Sequence, residues 1–146
     1  MSDRPPRRPR PDRAYADTNL FIVLFAGPRH PLHEASLDLF RRVADGVLRV
    51  IVTPIVVAEL VYVAERIFRW SRATSGRRLA ELLEAQGLDV PEAAVLRRAL
   101  SLYGTTRSLD FADAYLGAAA LETGPARVAS LDADLDRIPG VTRISR

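Results

Sequence analysis

Two acidic residues attract attention because each follows a predicted strand. Asp17 ends the short apolar run 14–16, which we expect to be a buried strand, and Asp132 ends the run 128–131. In a sheet of parallel strands, the carboxyl ends of the strands form the edge at which ligands bind. We therefore expect both carboxylates to lie at this edge, where they could bind a cation or act on a substrate.

Two more acids lie on predicted apolar faces of helices. Val56 and Val63 lie three residues before and four residues after Glu59, and Leu116 lies three residues after Asp113. Residues at these spacings share one face of a helix, so we expect both carboxylates to be buried among apolar residues. A buried carboxylate is costly unless it is paired or bound to a cation, and no Arg falls within either face.

A divalent cation is the simplest common partner for the four acids. Carboxylates a few ångströms apart otherwise repel one another strongly. The chain has no Cys and only two His, which excludes zinc–thiolate sites, iron–sulfur clusters, Cys nucleophiles and multi-His metal sites. Ligation by oxygen alone suits Mg²⁺ or Mn²⁺.

Structural interpretations of the same acids remain open. Asp17 could cap a helix, Glu59 could form an ordinary buried ion pair, and Asp113 could share a double cap with Asp110. Asp132 lies in an acidic loop, in which Asp134 and Asp136 are interpreted as solvated. Residues 68–80 contain four Arg and are interpreted as a solvated helix junction, with contact to RNA or a protein partner as the alternative.

The charge of the chain is concentrated at its N-terminus. The 146 residues carry a net charge of +3, and residues 1–13, with five Arg and two Asp, account for all of it. This Pro-rich segment is expected to be a disordered tail before a single domain, residues 14–146. The domain itself is balanced in charge, which argues against an indiscriminate nucleic-acid binder.

Strands and helices alternate along the predicted domain, which indicates an α/β fold with a short, mainly parallel sheet flanked by helices. The apolar run 20–27 is too short to span a membrane, and no secretory signal is recognised. We therefore expect a cytoplasmic protein without a membrane partner. Predicted strands cover 14–16, 48–52, 128–131 and 141–144, with a short 88–90 segment; predicted helices cover a segment from 20 toward 27, 31–44, 55–69, 75–85, 91–102 and 111–122.

Four short motifs in this order resemble PIN-domain proteins, and most nearly the VapC toxins of type II toxin–antitoxin systems. They are Tyr15–Asn19 (YADTN), Thr53-Pro54 with Ala58–Leu60 (AEL), Asp110–Ala114 (DFADA) and Ser130–Asp132 (SLD). The resemblance covers essentially residues 14–146. It departs from the family in the basic tail and in Ser130, which stands where Thr is common.

The resemblance implies a PIN-like three-layer fold and a Mg²⁺- or Mn²⁺-dependent endoribonuclease. The matching acids are Asp17, Glu59, Asp113 and Asp132, of which Asp17, Asp113 and Asp132 are the expected metal ligands. Thr18 and Ser130 could orient the acids or touch the phosphate. The resemblance also implies an RNA substrate, a cognate antitoxin protein and a homodimer.

Two other functions stay open at this stage. A Mg²⁺-dependent phosphotransfer domain also places Asp at strand ends, but it needs a Lys near the phosphoryl group, and the chain has none. A catalytically inactive module that binds RNA or protein is the other alternative. The RNA target, the number of metal ions and the antitoxin interface are not legible from the sequence.

Overall fold

The computed structural model describes residues 6–146, and within them six α-helices accompany two small sheets of parallel strands. The predicted α/β class is confirmed. The predicted tail falls partly outside the described residues, and positions 6–11 have no regular secondary structure. In chain order the elements are β1 (Asp12–Tyr15), α1 (Thr18–Ala26), α2 (His33–Ala44), β2 (Leu48–Ile51), α3 (Pro54–Arg66), α4 (Arg72–Leu83), β3 (Leu88–Asp89), α5 (Ala93–Thr105), α6 (Phe111–Thr123), β4 (Arg127–Ala129), a 3₁₀ turn (Ala133–Arg137) and β5 (Thr142–Ile144).

The first sheet places the N-terminal strand beside the middle of the chain. Its order is β1-β2-β3, all parallel, with Asp12 opposite Leu48 and Tyr15 opposite Ile51. The second sheet pairs β4 with β5, also in parallel. Because β1 and β2 are parallel, α1 and α3 both begin at the same edge of the first sheet. Asp17 and the N-terminal turn of α3 therefore share that edge.

The prediction that the first strand is buried was wrong. All four residues of β1 are exposed, and Tyr15 retains 74% of its accessible surface. Within residues 6–146, β1 pairs with a strand on one side only. A run of apolar residues does not reveal whether another element covers the strand, and here burial begins only at Ala16.

The helix boundaries follow capping residues that are visible in the sequence. Thr53 accepts a hydrogen bond from the Val56 backbone N–H at 3.5 Å, and Pro54 occupies the first helical position of α3, where a missing N–H costs nothing. Asp110 caps α6 as predicted, and its Oδ1 accepts from the Asp113 backbone N–H at 2.9 Å. These caps orient the helices that carry two of the predicted acids.

The helical spacing of Leu32, Leu39 and Val43 predicts that they lie on the inner face of α2, and this prediction was only partly correct. Val43 is buried, but Leu32 and Leu39 retain 58% and 36% of their surface. Ser36 is buried instead, and its hydroxyl donates to the Leu20 backbone oxygen at 2.9 Å. A polar residue can replace an apolar one on an inner face when its hydroxyl is satisfied.

The main core lies between the first sheet and the helices, and a smaller cluster lies around Leu135 and Ile138. Helices α4 and α5 cross closely, and the backbones of Gly76 and Gly104 lie against each other at the crossing. Within residues 6–146, no helix has the length and apolar character needed to cross a membrane.

Candidate functional site

The structure brings together two of the predicted acids from separate elements. Asp113 lies in the first turn of α6, and Asp132 follows β4 at the start of the 3₁₀ turn. The Asp132 carboxylate is one of the neighbouring acids that raise the pKa of Asp113, after burial and the charge of Asp110. Since neither forms an ion pair with an Arg among residues 6–146, their mutual repulsion is not offset by a guanidinium contact.

The surroundings of Asp113 favour its neutral form. Partial burial is the main cause that raises the pKa of Asp113, and the charges of Asp110, Asp132 and Asp134 raise it further. Negative charge is therefore concentrated at the start of α6. A cation at this point would stabilise the carboxylate form.

A second hydrogen bond links the beginning of α1 to α3. The buried Thr18 hydroxyl donates to Glu59 Oε2 at 2.7 Å, so Thr18 does orient one of the predicted acids. Asp17 occupies the N-cap position of α1, but its side chain accepts no capping hydrogen bond. Its carboxylate therefore does not perform the capping role that was the structural alternative.

The prediction that Glu59 is buried was wrong, because Glu59 is exposed, and Asp113 is only partly buried. Asp17 and Asp132, at the strand ends, are exposed as well. In α3 the buried positions are 56, 57, 60, 61 and 64. Val56 and Val63 lie on one margin of this stripe, and Glu59 lies beyond the margin. Spacing alone thus placed Glu59 near the apolar face of α3, but it did not show whether Glu59 lies on the buried or the exposed side of that face's boundary.

The four acids do not form one compact group. Among the described residues, no set of three or more acidic or His side chains is arranged to hold a metal ion. The side chains instead form an Asp113–Asp132 pair and a Thr18–Glu59 pair, with Asp17 beside the latter in sequence. The proposed common role of the four acids remains a prediction.

The neighbouring acids Asp134 and Asp136 were predicted to be solvated, but both form ion pairs, Asp134 with Arg137 at 3.5 Å. Asp136 forms an ion pair with Arg143 at 2.9 Å, and this hydrogen bond lowers its pKa. Asp132 Oδ1 accepts from the Asp134 backbone N–H at 2.9 Å, and Ser130 Oγ accepts from the Asp132 backbone N–H at 3.0 Å. This short network fixes the loop that carries Asp132.

The segment 68–80 packs against the fold through its aromatic residues. Phe68 and Trp70 stack with ring centroids 5.6 Å apart, and Phe25 meets Trp70 edge-on at 5.4 Å. The Arg78 guanidinium lies 4.7 Å from the centre of the Trp70 ring. Trp70 and Arg78 therefore have a packing role, in line with the helix-junction interpretation.

Sequence reasoning missed two features around the site. It assigned Asp110 only to capping and Asp134 only to solvent, yet the negative charges of both raise the pKa of Asp113, in addition to burial. The spacing of Asp110 and Asp113 at one helix start could have indicated this. Arg72 was also missed: its guanidinium donates to the backbone oxygens of Tyr103, Thr106 and Leu109, and no local signal predicts such a long-range contact.

The donor chemistry of the site fits a hard divalent cation. Only carboxylate and hydroxyl oxygens are present around Asp113 and Asp132, as Mg²⁺ and Mn²⁺ require. The charge concentration at Asp113 is the feature of this structure that a cation would relieve. Exposed carboxylates change rotamer on a picosecond to nanosecond timescale, so Asp17, whose side chain makes no capping hydrogen bond, is free to adjust toward a shared ligand.

The family model of the PIN domain matches residues 14–141, and the chain therefore belongs to the PIN-domain family. Searches of curated proteins and of solved structures returned no significant match. PIN domains are generally nucleases that use divalent metal ions and act on RNA.

Proposed function

We propose that this protein is a Mg²⁺- or Mn²⁺-dependent endoribonuclease, the VapC-type toxin of a type II toxin–antitoxin pair. The single observation that carries the nuclease proposal is the gathering of Asp113 and Asp132 at the start of α6, where burial and three neighbouring carboxylates raise the Asp113 pKa. Membership of the PIN family supports the same activity. The toxin role rests on the resemblance of the four motifs.

Asp17, Asp113 and Asp132 would hold the cation, which supplies Lewis-acid stabilisation of the phosphate and a more acidic water. Thr18 holds Glu59 at a defined position through its 2.7 Å hydrogen bond. The Ser130–Asp132–Asp134 network holds Asp132 against α6. Burial and the neighbouring acids raise the pKa of Asp113, and a bound cation would favour its carboxylate form.

Cleavage of a labelled single-stranded RNA with Mg²⁺ or Mn²⁺ tests the proposal. Asp17→Asn and Asp113→Asn should each lower the rate at least about hundredfold, because each removes a proposed metal ligand. Asp45→Asn is the matched control: it removes an exposed acid directly after α2 that forms no ion pair within residues 6–146, and it should cleave normally. EDTA should abolish cleavage by all the active proteins.

The second candidate function is a binding module without activity. It is favoured by the finding that residues 6–146 gather no group of three potential metal-holding side chains. The same assay separates the two candidates. Cleavage that survives both substitutions would show that these acids are not the site, whereas a wild-type protein that cleaves no RNA with either ion would favour the binding module.

The remaining proposals concern the context of the nuclease. We propose a tail at residues 1–13 before the nuclease domain at 14–146, a homodimer, a cytoplasmic location and inhibition by a small antitoxin. The strand β1 begins at Asp12, two residues before the proposed boundary. Light scattering of the purified protein and co-purification with the product of an adjacent short reading frame would test the dimer and the antitoxin.

A further inference from the structure

A groove runs between α3 and the loop that precedes α6. It encloses about 310 Å³ and is open to solvent. Ala58, Tyr62 and Arg66 line it from α3, and Arg107 and Asp110 line it from the α5–α6 loop. We call this feature the α3–α6 groove.

Two cations of the groove are available for a ligand. Arg66 and Arg107 are exposed, and neither forms an ion pair with any residue between 6 and 146. The third Arg on the lining, Arg72, is held by backbone oxygens and by the face of Tyr103, 4.0 Å from the ring centre. Arg72 thus stabilises the fold, and the groove keeps two guanidinium groups for an anion.

The acids on the lining are already engaged. Glu65 accepts a hydrogen bond from the Tyr103 hydroxyl at 2.8 Å, and Asp110 caps α6. Burial and the contact with Glu65 raise the pKa of Tyr103 to about 12, so the hydroxyl remains a donor to Glu65 at neutral pH. Neither Glu65 nor Asp110 forms an ion pair with Arg66 or Arg107.

An exposed aromatic side chain lies between the cations and the site. Tyr62 retains 63% of its surface and lines the groove. It lies on the same side of α3 as Arg66, four residues later. Exposed aromatic faces beside Arg side chains are typical of surfaces that bind single-stranded nucleic acid, because bases stack on the ring and phosphates contact the cations.

The groove adjoins the acidic site at its other end. Ala58 immediately precedes Glu59, and Asp110 bonds the backbone N–H of Asp113 at 2.9 Å. A strand that follows the groove toward α6 therefore brings its next phosphate to the acids. The Arg residues without ion pairs among residues 6–146 distinguish the groove from four other surface cavities, of which two contain only ion-paired Arg and two contain no Arg.

We propose that the α3–α6 groove binds the single-stranded RNA segment next to the cleaved bond, with Arg66 and Arg107 on phosphates and Tyr62 stacked on a base. This inference rests on the proposed nuclease function. It assigns the recognition of the strand to residues separate from the acids that act on the phosphodiester. Binding and cleavage are therefore expected to respond to different substitutions.

Fluorescence anisotropy with a labelled single-stranded RNA in EDTA measures binding without cleavage. The double variant Arg66→Ala/Arg107→Ala should bind about tenfold more weakly. The slope of log affinity against log salt should become shallower by about 1.4, since two phosphate contacts are lost. The matched control Arg29→Ala/Arg42→Ala removes two exposed Arg that lie outside the groove and form no ion pair within residues 6–146, and it should keep the wild-type slope.

Tyr62 provides an independent readout. Tyr62→Ala should weaken binding at least about fivefold, whereas Tyr62→Phe, which keeps the ring, should bind like the wild type. Circular dichroism and thermal unfolding confirm that each variant is folded, and Arg66→Gln/Arg107→Gln provides a second test of the charges. Unchanged affinity and slope in both Arg variants, or an equal loss in the control, would overturn the proposed groove.

The outcome for the groove is distinguishable from the outcome for the nuclease. If the wild type cleaves RNA and the Arg66→Ala/Arg107→Ala variant shows an unchanged KM and affinity, the groove is wrong and the nuclease proposal stands. If RNA binds through these residues but no metal supports cleavage, the groove stands and the nuclease proposal falls. A raised KM with an unchanged kcat in the Arg variant supports both.

Discussion

Asp113 illustrates how a carboxylate within a cluster of acids differs from an isolated one at the surface. Its pKa is raised by burial and by three nearby acids, so ionising Asp113 costs more free energy in the folded protein than in the unfolded chain. A group whose pKa is raised on folding lowers stability above the folded pKa, and this cost disappears below the unfolded pKa. The site is therefore expected to reduce the stability of the protein at neutral pH.

We predict that Asp113→Asn is more stable to urea than the wild type at pH 7 in EDTA. Its free energy of unfolding should be higher by about 0.5–2 kcal/mol. The difference should shrink toward zero near pH 3, where the carboxyl of the wild type is protonated. Asp45→Asn, which alters an exposed acid away from the cluster, should show no such gain. A less stable Asp113→Asn protein at pH 7 would contradict the proposed repulsion.

At the scale of elements, the crossing of α4 and α5 depends on one missing side chain. A Cβ at Gly76 would lie 2.7 Å from the Leu100 backbone oxygen, which cannot move without shifting α5. A Cβ at Gly104, on the other side of the same crossing, would meet the Arg72 backbone oxygen at an ordinary 3.5 Å. Two glycines that look alike in the sequence thus have different roles.

We expect Gly76→Ala to destabilise the protein by about 1–3 kcal/mol, because the two helices must separate. Gly104→Ala should be neutral or stabilising by up to about 1 kcal/mol, because Ala favours a helix interior over Gly. Chemical unfolding of both variants measures the difference. Equal effects of the two substitutions would show that the crossing is not as close as described.

At the scale of the whole molecule, Asp89 ties distant parts of the chain together. Its carboxylate on β3 pairs with Arg49 on β2 and, at 3.4 Å, with Arg13 on β1. The hydrogen bond from Arg49 is the main cause that lowers the Asp89 pKa. A carboxylate whose pKa is lowered on folding contributes stability above its unfolded pKa, and this contribution is lost as the pH falls through the folded value.

We predict that Asp89→Asn lowers the thermal midpoint by a few degrees at most at pH 7, since the pairs are partly exposed. The gap from the wild type should begin to close below about pH 4, the ordinary pKa of an Asp carboxyl, and narrow further as the pH falls through the lower pKa of folded Asp89. Thermal scans of both proteins from pH 7 to pH 3 measure this. A gap that persists in acid would show that Asp89 acts through packing instead of charge.

The sequence by itself determined the class of chemistry and most of the helices. A chain without Cys or Lys and with two His leaves oxygen ligands for a metal, whatever the fold. The caps at Thr53 and Asp110 are local devices, formed by residues three positions apart, and the structure contains both. Local hydrogen bonds and helical spacing are legible because they do not depend on distant segments.

Tertiary packing decided which of these residues meet. Only the docking of β4 and its following loop against α6 places Asp132 beside Asp113, 19 positions away in the chain. Packing also left Glu59 and Tyr15 exposed, and it engaged Arg72 while leaving Arg66 and Arg107 without ion pairs among residues 6–146. Whether a side chain is buried or ion-paired depends on which segments pack against it, and those segments are far away in the chain.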